Sequence, residues 1–131
     1  MQDKIAIRKK ALVIRKKKYF EITPHFFAPV IKLLKKNNIN ILSLYFPSNY
    51  EINVLTIFEQ NKKMKIKTLL PVTKNNNQMN FVEWKYLDPL KVNEYGMLEP
   101  SQKKKIFVPK LMLVPLLAFD NNNNRLGYGK G

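Results

Sequence analysis

With 131 residues, 45% of them hydrophobic, the chain is long enough for one domain with one modest core and too apolar for a disordered segment. It has no cysteine, which excludes a disulfide frame and thiolate chemistry, and its one histidine, His25, leaves a zinc site only carboxylates for company. The formal charge of +15 and the pI near 10.0 admit two readings, an anionic partner such as nucleic acid or a lysine-rich solvated surface, and the spread of lysines over most segments favours the second.

Residues 3–18 read as a helix in which Ile7, Ala11 and Ile14 form one apolar stripe, while Lys4 and Arg8, four apart, share another face. No continuous apolar run follows the N-terminal lysines, so this segment does not read as a secretory signal and a cytoplasmic location is expected. Thr23-Pro24 starts a second helix, with Thr as N-cap and Pro at the first position; it should bury Phe27, Val30, Ile31 and Leu34 and end after Lys36 at Asn37-Asn38. Residues 41–46 read as a buried strand, residues 52–61 as mostly helical, and residues 65–70 as a second strand ended by Pro71. Strand, helix and strand in that order form a βαβ unit with parallel strands, which sets the 47–51 turn at the carboxyl end of a strand, where open α/β sheets bind ligands.

Residues 79–86 alternate loosely and read as a strand nearer an edge, with Trp84 as packing. Residues 88–100 read as a long loop, Lys103 to Lys105 as a solvated charge run, and Leu111 to Val114 as a third buried strand. The apolar run Leu111 to Phe119 contains Pro115 and is far short of the ~20 residues of a membrane span, so no membrane association is expected. Residues 115–131 read as loop; Asp120 has the chemistry of an ordinary turn, His25 reads as solvated, and Glu94 and Glu99 show no evident partner.

The most informative segment is Arg125-Leu126-Gly127-Tyr128-Gly129-Lys130-Gly131. Alternate glycines let the backbone reach φ > 0 and approach a ligand closely, so successive N–H groups can face one concavity and hold phosphate oxygens. Arg125 and Lys130 add charge beside it. The segment is neither a Walker loop nor a dinucleotide fingerprint, and taken alone it is equally a flexible tail; the apolar strand that feeds it favours the cradle.

Pro115-Leu-Leu-Ala-Phe-Asp120, a polar insert and then residues 125–131 resemble the signature of 5-formyltetrahydrofolate cyclo-ligases, a Pro-x-x-Ala/Gly-Phe-Asp stretch followed by Arg-Leu-Gly-x-Gly-x-Gly-Tyr-Tyr-Asp. Lys4-Ile-Ala-Ile-Arg8, with Arg15 one heptad on, Tyr45-Phe-Pro-Ser-Asn-Tyr-Glu51 and Tyr95-Gly-Met-Leu-Glu-Pro100 resemble further stretches of that family in order and spacing. The resemblance implies one α/β domain over residues 1–131, Rossmann-like, three-layered, with a largely parallel sheet and helices on both faces. It implies phosphorylation of the formyl oxygen of 5-formyltetrahydrofolate by MgATP, attack by N10 and release of phosphate, giving 5,10-methenyltetrahydrofolate. ATP would be bound by Lys4, Arg8, Arg125, Leu126, Gly127, Tyr128, Gly129, Lys130 and Gly131, and the folate, with or without a polyglutamate tail, by Phe46 and Glu51. Nucleic acid is then not an expected partner. In the family pattern the Mg²⁺-binding Asp follows the position of Gly131, so the resemblance implies a fold incomplete at the C-terminus and no metal ligand within the chain. A basic nucleic-acid-binding module and a non-catalytic remnant are the readings left beside the enzyme. Val72 stands where many members carry Arg, and Asn53 where an acid is frequent.

Overall fold

The computed structural model describes residues 3–58, 64–74, 78–101 and 103–129. Helix α1 spans Lys4–Lys18. The Asp3 carboxylate caps it, accepting from the Ile5 N–H at 2.9 Å, and four basic residues, Arg15 to Lys18, complement the carboxyl end of its dipole. None of its side chains is fully buried. Its half-buried face carries Ile7, Arg8, Ala11, Leu12 and Arg15, whereas Ile14, expected to face inward, is 44% exposed. The stripe is rotated because the helix docks partly through arginines onto oxygen acceptors of Gly127, Tyr128 and Leu116 instead of onto an apolar surface alone.

A 3-10 turn, Pro24–Phe27, leads into α2, Ala28–Lys36; Thr23 holds the N-cap position of that turn without a side-chain capping bond. Phe27, Ile31 and Leu34 are buried, and Val30 packs half-buried against them. Asn37-Asn38 ends the helix as expected, by a Schellman arrangement: Asn38 takes φ +50°, its N–H bonds Lys35 O at 3.2 Å, and Ile39 N–H bonds Leu34 O at 2.9 Å.

Strands β1 (Ile41–Ser43), β2 (Lys67–Thr73) and β3 (Met79–Glu83) follow. Beyond them lie β4 (Lys91–Val92), β5 (Leu98–Glu99), β6 (Leu111–Met112), β7 (Ala118–Phe119) and β8 (Arg125–Leu126). The main sheet runs β3-β2-β1-β6, with β1 parallel to β2 and β6 and with β3 antiparallel on one edge. This is the expected largely parallel α/β sheet. Leu42 and Leu44 pack with α2 in one apolar cluster that also takes in Ile57, Leu70 and Trp84. Ser43 and Leu69, on the other face, are buried as well. Between β1 and β2 lie a 3-10 turn, Val54–Thr56, and helical Ile57 and Phe58; residues 59–61 of the expected helix lie outside the described residues.

Pro71 does not end β2, which runs on to Thr73. It ends the parallel ladder instead. Lys67 N–H bonds Asn40 O at 2.8 Å and Leu44 N–H bonds Leu69 O at 2.9 Å. The next bond in that alternation would run from residue 71 to Leu44 O, and proline has no N–H. Pairing with β1 therefore stops at Ser43 and Leu69, while the register with β3 continues through Pro71 opposite Phe81. Freed from the sheet after Ser43, the chain can turn toward Glu51.

Three other segments depart from expectation. Residues 88–100 are not a plain loop: β4 and β5 pair antiparallel, and the Glu99 carboxylate, buried, accepts from Thr73 N–H at 3.1 Å and Asn93 Nδ2 at 3.2 Å. Lys103 and Lys105 are exposed, as expected, but Lys104 is half-buried and paired; its ammonium meets Asp88 Oδ2 at 2.7 Å and Glu83 O at 3.3 Å, and the bond to Lys104 holds the Asp88 carboxyl below its ordinary range. Of Leu111 to Val114 only Leu111–Met112 is strand, β6 at one edge of the sheet; Leu111 and Leu113 pack half-buried against the apolar cluster, whereas Met112 and Val114, on the opposite face, are exposed. Trp84 is packing, as expected, its indole N–H donating to Asp88 O at 3.0 Å.

Candidate functional site

The chain leaving β1 makes a tight turn at residues 48–51. Glu51 N–H bonds Ser48 O at 2.9 Å, and Asn49 and Tyr50 take φ of +48° and +60°. Two successive left-handed residues make a type I′ turn, a conformation that costs a tyrosine about 1–2 kcal/mol. Contacts of the Tyr50 ring offset this: Tyr19 lies 5.7 Å away edge-on, and the Lys16 ammonium 5.8 Å from the ring centre. The turn turns the Glu51 carboxylate inward, where Ser48 N–H donates to it at 2.8 Å. Its side chain is 5% exposed.

Two arginines on α1, two turns apart, reach the glycine segment. Arg8 Nε donates to Gly127 O at 2.9 Å. Arg15 Nη1 donates to the Tyr128 hydroxyl at 2.7 Å, Nη2 donates to Leu116 O, and Nη1 stands 3.9 Å from Glu51 Oε1. The charge of the Glu51 carboxylate also bears on the Tyr128 phenol, so guanidinium, phenol and carboxylate form one cluster.

The glycine segment leaves an ordered hairpin, not the loop expected from the sequence. β7 and β8 pair antiparallel, Ala118 with Leu126 and Phe119 with Arg125. Asp120 builds the turn: its Oδ1 accepts from the N–H groups of Asn122 and Asn124, and its Oδ2 from Asn124 Nδ2, each at 2.9 Å. The bonds from Asn124 hold the Asp120 carboxyl below its usual range. Beyond the hairpin Gly129 takes φ +86°, and a Cβ there would lie 3.0 Å from the Arg8 guanidinium carbon. Among the described residues, no acceptor takes the N–H groups of Gly127, Tyr128 or Gly129. These donors and the two guanidinium groups suit an anion with several oxygens.

A cleft of about 310 Å³ opens beside this cluster, lined among others by Arg15, Tyr45, Tyr50, Glu51 and Leu116. Burial, and next the Glu51 carboxylate, push the Tyr45 phenol up to about 12, and the same two causes raise Tyr128. Tyr45 is therefore a neutral hydroxyl over the physiological range, donating to Ile52 O at 3.0 Å. The raised value stabilises the fold fully below pH ~10, and that contribution is lost as pH rises through 12. In alkaline absorbance titrations, the difference between the parent chain and Tyr45→Phe should show a tyrosinate step near 12; a step near pH ~10 would contradict this environment.

The structure thus brings together Arg8, Glu51, Gly127, Tyr128 and Gly129 from the expected set. Lys4 lies exposed in the first turn of α1, Arg125 is exposed on β8, and Leu126 is half-buried there. Phe46 is half-buried with its ring 6.4 Å from Trp84 and does not line the cleft. Lys130 and Gly131 lie outside the described residues. Sequence reasoning gave no role to Arg15 or Tyr45; the heptad spacing of Arg8 and Arg15 was the available signal for the first. Among the described residues no group of three or more His, Asp or Glu could hold a metal, and no helix is long and apolar enough to cross a membrane.

The model of the 5-formyltetrahydrofolate cyclo-ligase family matches residues 1–131. The chain is 29% identical over 109 residues to the 5-formyltetrahydrofolate cyclo-ligase of Haemophilus influenzae; the match covers 77% of this chain and 57% of that protein, so the chain spans little more than half its relative's length. A solved 5,10-methenyltetrahydrofolate synthetase from Mycoplasma pneumoniae superposes with a TM-score of 0.71 at 26% identity, over 99% of this chain and 74% of that one. The 5,10-methenyltetrahydrofolate synthetase of Aquifex aeolicus, solved by NMR, gives 0.69 at 25% identity, over 98% and 68%. With the family model matching residues 1–131, and with the parallel sheet and glycine segment in place, the chain belongs to the 5-formyltetrahydrofolate cyclo-ligase family.

Proposed function

We propose that the chain carries the MgATP-dependent cyclisation of 5-formyltetrahydrofolate to 5,10-methenyltetrahydrofolate, with release of ADP and phosphate, in the cytoplasm. The observation that carries this reading is the bridging of one glycine segment by Arg8 and Arg15, with Arg15 also beside the buried Glu51. In this reading Arg8, Lys4, Arg125 and the amides of 127–129, continued by Lys130 and Gly131, hold the triphosphate. Glu51 holds the folate at the cleft, whereas Phe46, against Trp84 and off the cleft wall, makes no contact there. The terminal phosphoryl group passes to the formyl oxygen, N10 attacks the formyl carbon, and phosphate departs with that oxygen. Such a reaction needs positioning and neutralised charge more than a protein nucleophile, and guanidinium groups with free amides supply both.

Glu51 can accept N–H bonds from a pterin, and the neutral Tyr45 phenol beside it adds a hydroxyl to the cleft wall. Mg²⁺ keeps several waters and binds through one or two carboxylates together with substrate phosphates, so it would enter with the nucleotide. The test is to supply ATP, Mg²⁺ and 5-formyltetrahydrofolate and to follow ADP together with the near-ultraviolet absorbance of the methenyl product. One ADP per methenyl group formed is the expected result. No nucleotide consumption in the presence of the formylated folate would overturn the proposal.

A further inference from the structure

We propose that Arg15 is a positioning residue that joins the nucleotide-holding glycine segment to the folate-holding turn, so that its loss weakens both ligands. The proposal rests on the cyclo-ligase reading above. Among the described residues, Arg8 reaches only the glycine segment, at Gly127 O and beside Gly129. Arg15 reaches three separate pieces of chain: Tyr128 in that segment, the Leu116 carbonyl just before β7, and Glu51 in the 48–51 turn. A guanidinium can do this because its donors form a rigid planar fork, which an ammonium lacks.

The Tyr128 hydroxyl accepts from Arg15 Nη1 at 2.7 Å, and the same nitrogen stands 3.9 Å from Glu51 Oε1, so one arm of the guanidinium faces both the glycine segment and the 48–51 turn. The Arg15 guanidinium also sits 5.9 Å from the centre of the Tyr128 ring. With side chains 17% and 5% exposed, Arg15 and Glu51 are poorly screened by water, so the geometry of one constrains the other. Arg15 and Glu51 both line the cleft, so a displaced guanidinium shifts the wall of the folate side and the anchor of the phosphate side together.

The experiment is calorimetric titration of the full chain with a non-hydrolysable ATP analogue plus Mg²⁺, and separately with 5-formyltetrahydrofolate, for the parent, Arg15→Met, Arg15→Lys and Tyr128→Phe. Arg15→Met should weaken each ligand roughly tenfold at unchanged stoichiometry, the loss of a charge-assisted bond at each side. Arg15→Lys should recover only part of this, because one ammonium cannot span Leu116 and Tyr128. Tyr128→Phe should weaken both ligands by about threefold, the effect of one neutral hydrogen bond. A merely structural Arg15 would lower the stoichiometry and leave both dissociation constants unchanged; that result, or a loss confined to one ligand, overturns the proposal. If Arg15→Met does not fold, Tyr128→Phe decides: unchanged constants for both ligands overturn it. A parent chain that binds neither ligand defeats the cyclo-ligase reading and this proposal with it, whereas a parent that binds both beside an unaffected Arg15→Met defeats the positioning role alone.

Discussion

Replacing Glu51 with alanine is expected to lower the unfolding free energy by about 3 kcal/mol, the low end for breaking a buried ion pair, and to abolish measurable folate binding. The carboxylate is 5% exposed and accepts from the Ser48 N–H at 2.8 Å, with Arg15 at 3.9 Å. Alanine leaves that N–H without its acceptor in the 48–51 turn and leaves Arg15, 17% exposed, facing no counter-charge. The low end applies because 3.9 Å is a long contact and Leu116 O still satisfies one arm of the guanidinium. For a chain of this size the melting temperature should fall by on the order of 10 °C. Glu51→Gln separates the two effects. The amide oxygen can still accept from Ser48, so most of the stability should remain. The charge is gone, so 5-formyltetrahydrofolate should bind about ten- to hundredfold more weakly, as for a lost charge-assisted hydrogen bond. Thermal unfolding and folate titration on both variants measure this. A Glu51→Ala chain that melts with the parent would show that the carboxylate holds nothing in place.

The second large effect is expected at Gly129. Its φ of +86° lies where L side chains rarely go, and placing alanine there costs about 1–2 kcal/mol. The added Cβ would stand 3.0 Å from the Arg8 guanidinium carbon and from its Nη2, so Arg8 must move by a few tenths of an ångström. That shift acts against the 2.9 Å bond from Arg8 to Gly127 O. Gly129→Ala should therefore weaken the ATP analogue by about tenfold, an effect worth ~1.4 kcal/mol, while folate affinity, set at the 48–51 turn, changes much less. Equal losses for the two ligands would show that the substitution disorders the site as a whole.

How much of this could be read in the sequence depends on whether the determining chemistry is local. The end of α2 at Asn37-Asn38 was legible because asparagine tolerates the left-handed conformation that a Schellman cap requires. Glu51 and the glycine segment were legible because turn residues and alternate glycines mark backbone geometry within a few positions. Arg15 was not, because its partners Leu116 and Tyr128 lie 101 and 113 residues away and no spacing rule reaches that far. The ends of β1 and β2 were misread at Pro71 because the residue lacks a donor toward one neighbour only, and which neighbour is decided by the sheet. The β7–β8 hairpin was missed because strands of two residues show no alternation, although Asp120 was recognised as a turn residue. Lys104 and Glu99 look like surface charges until the fold sets Asp88 and Asn93 against them.

The reading depends above all on the grip of Arg8 and the glycine segment on a nucleotide's phosphates. The direct measurement is titration of a non-hydrolysable ATP analogue with Mg²⁺ into the parent chain and into Arg8→Met, with a short oligonucleotide as competitor. Saturable one-to-one binding is expected, weakened at least tenfold in Arg8→Met and untouched by the oligonucleotide. Equal affinity in the two proteins, or displacement of the analogue by the oligonucleotide with a steep dependence on salt, would contradict it.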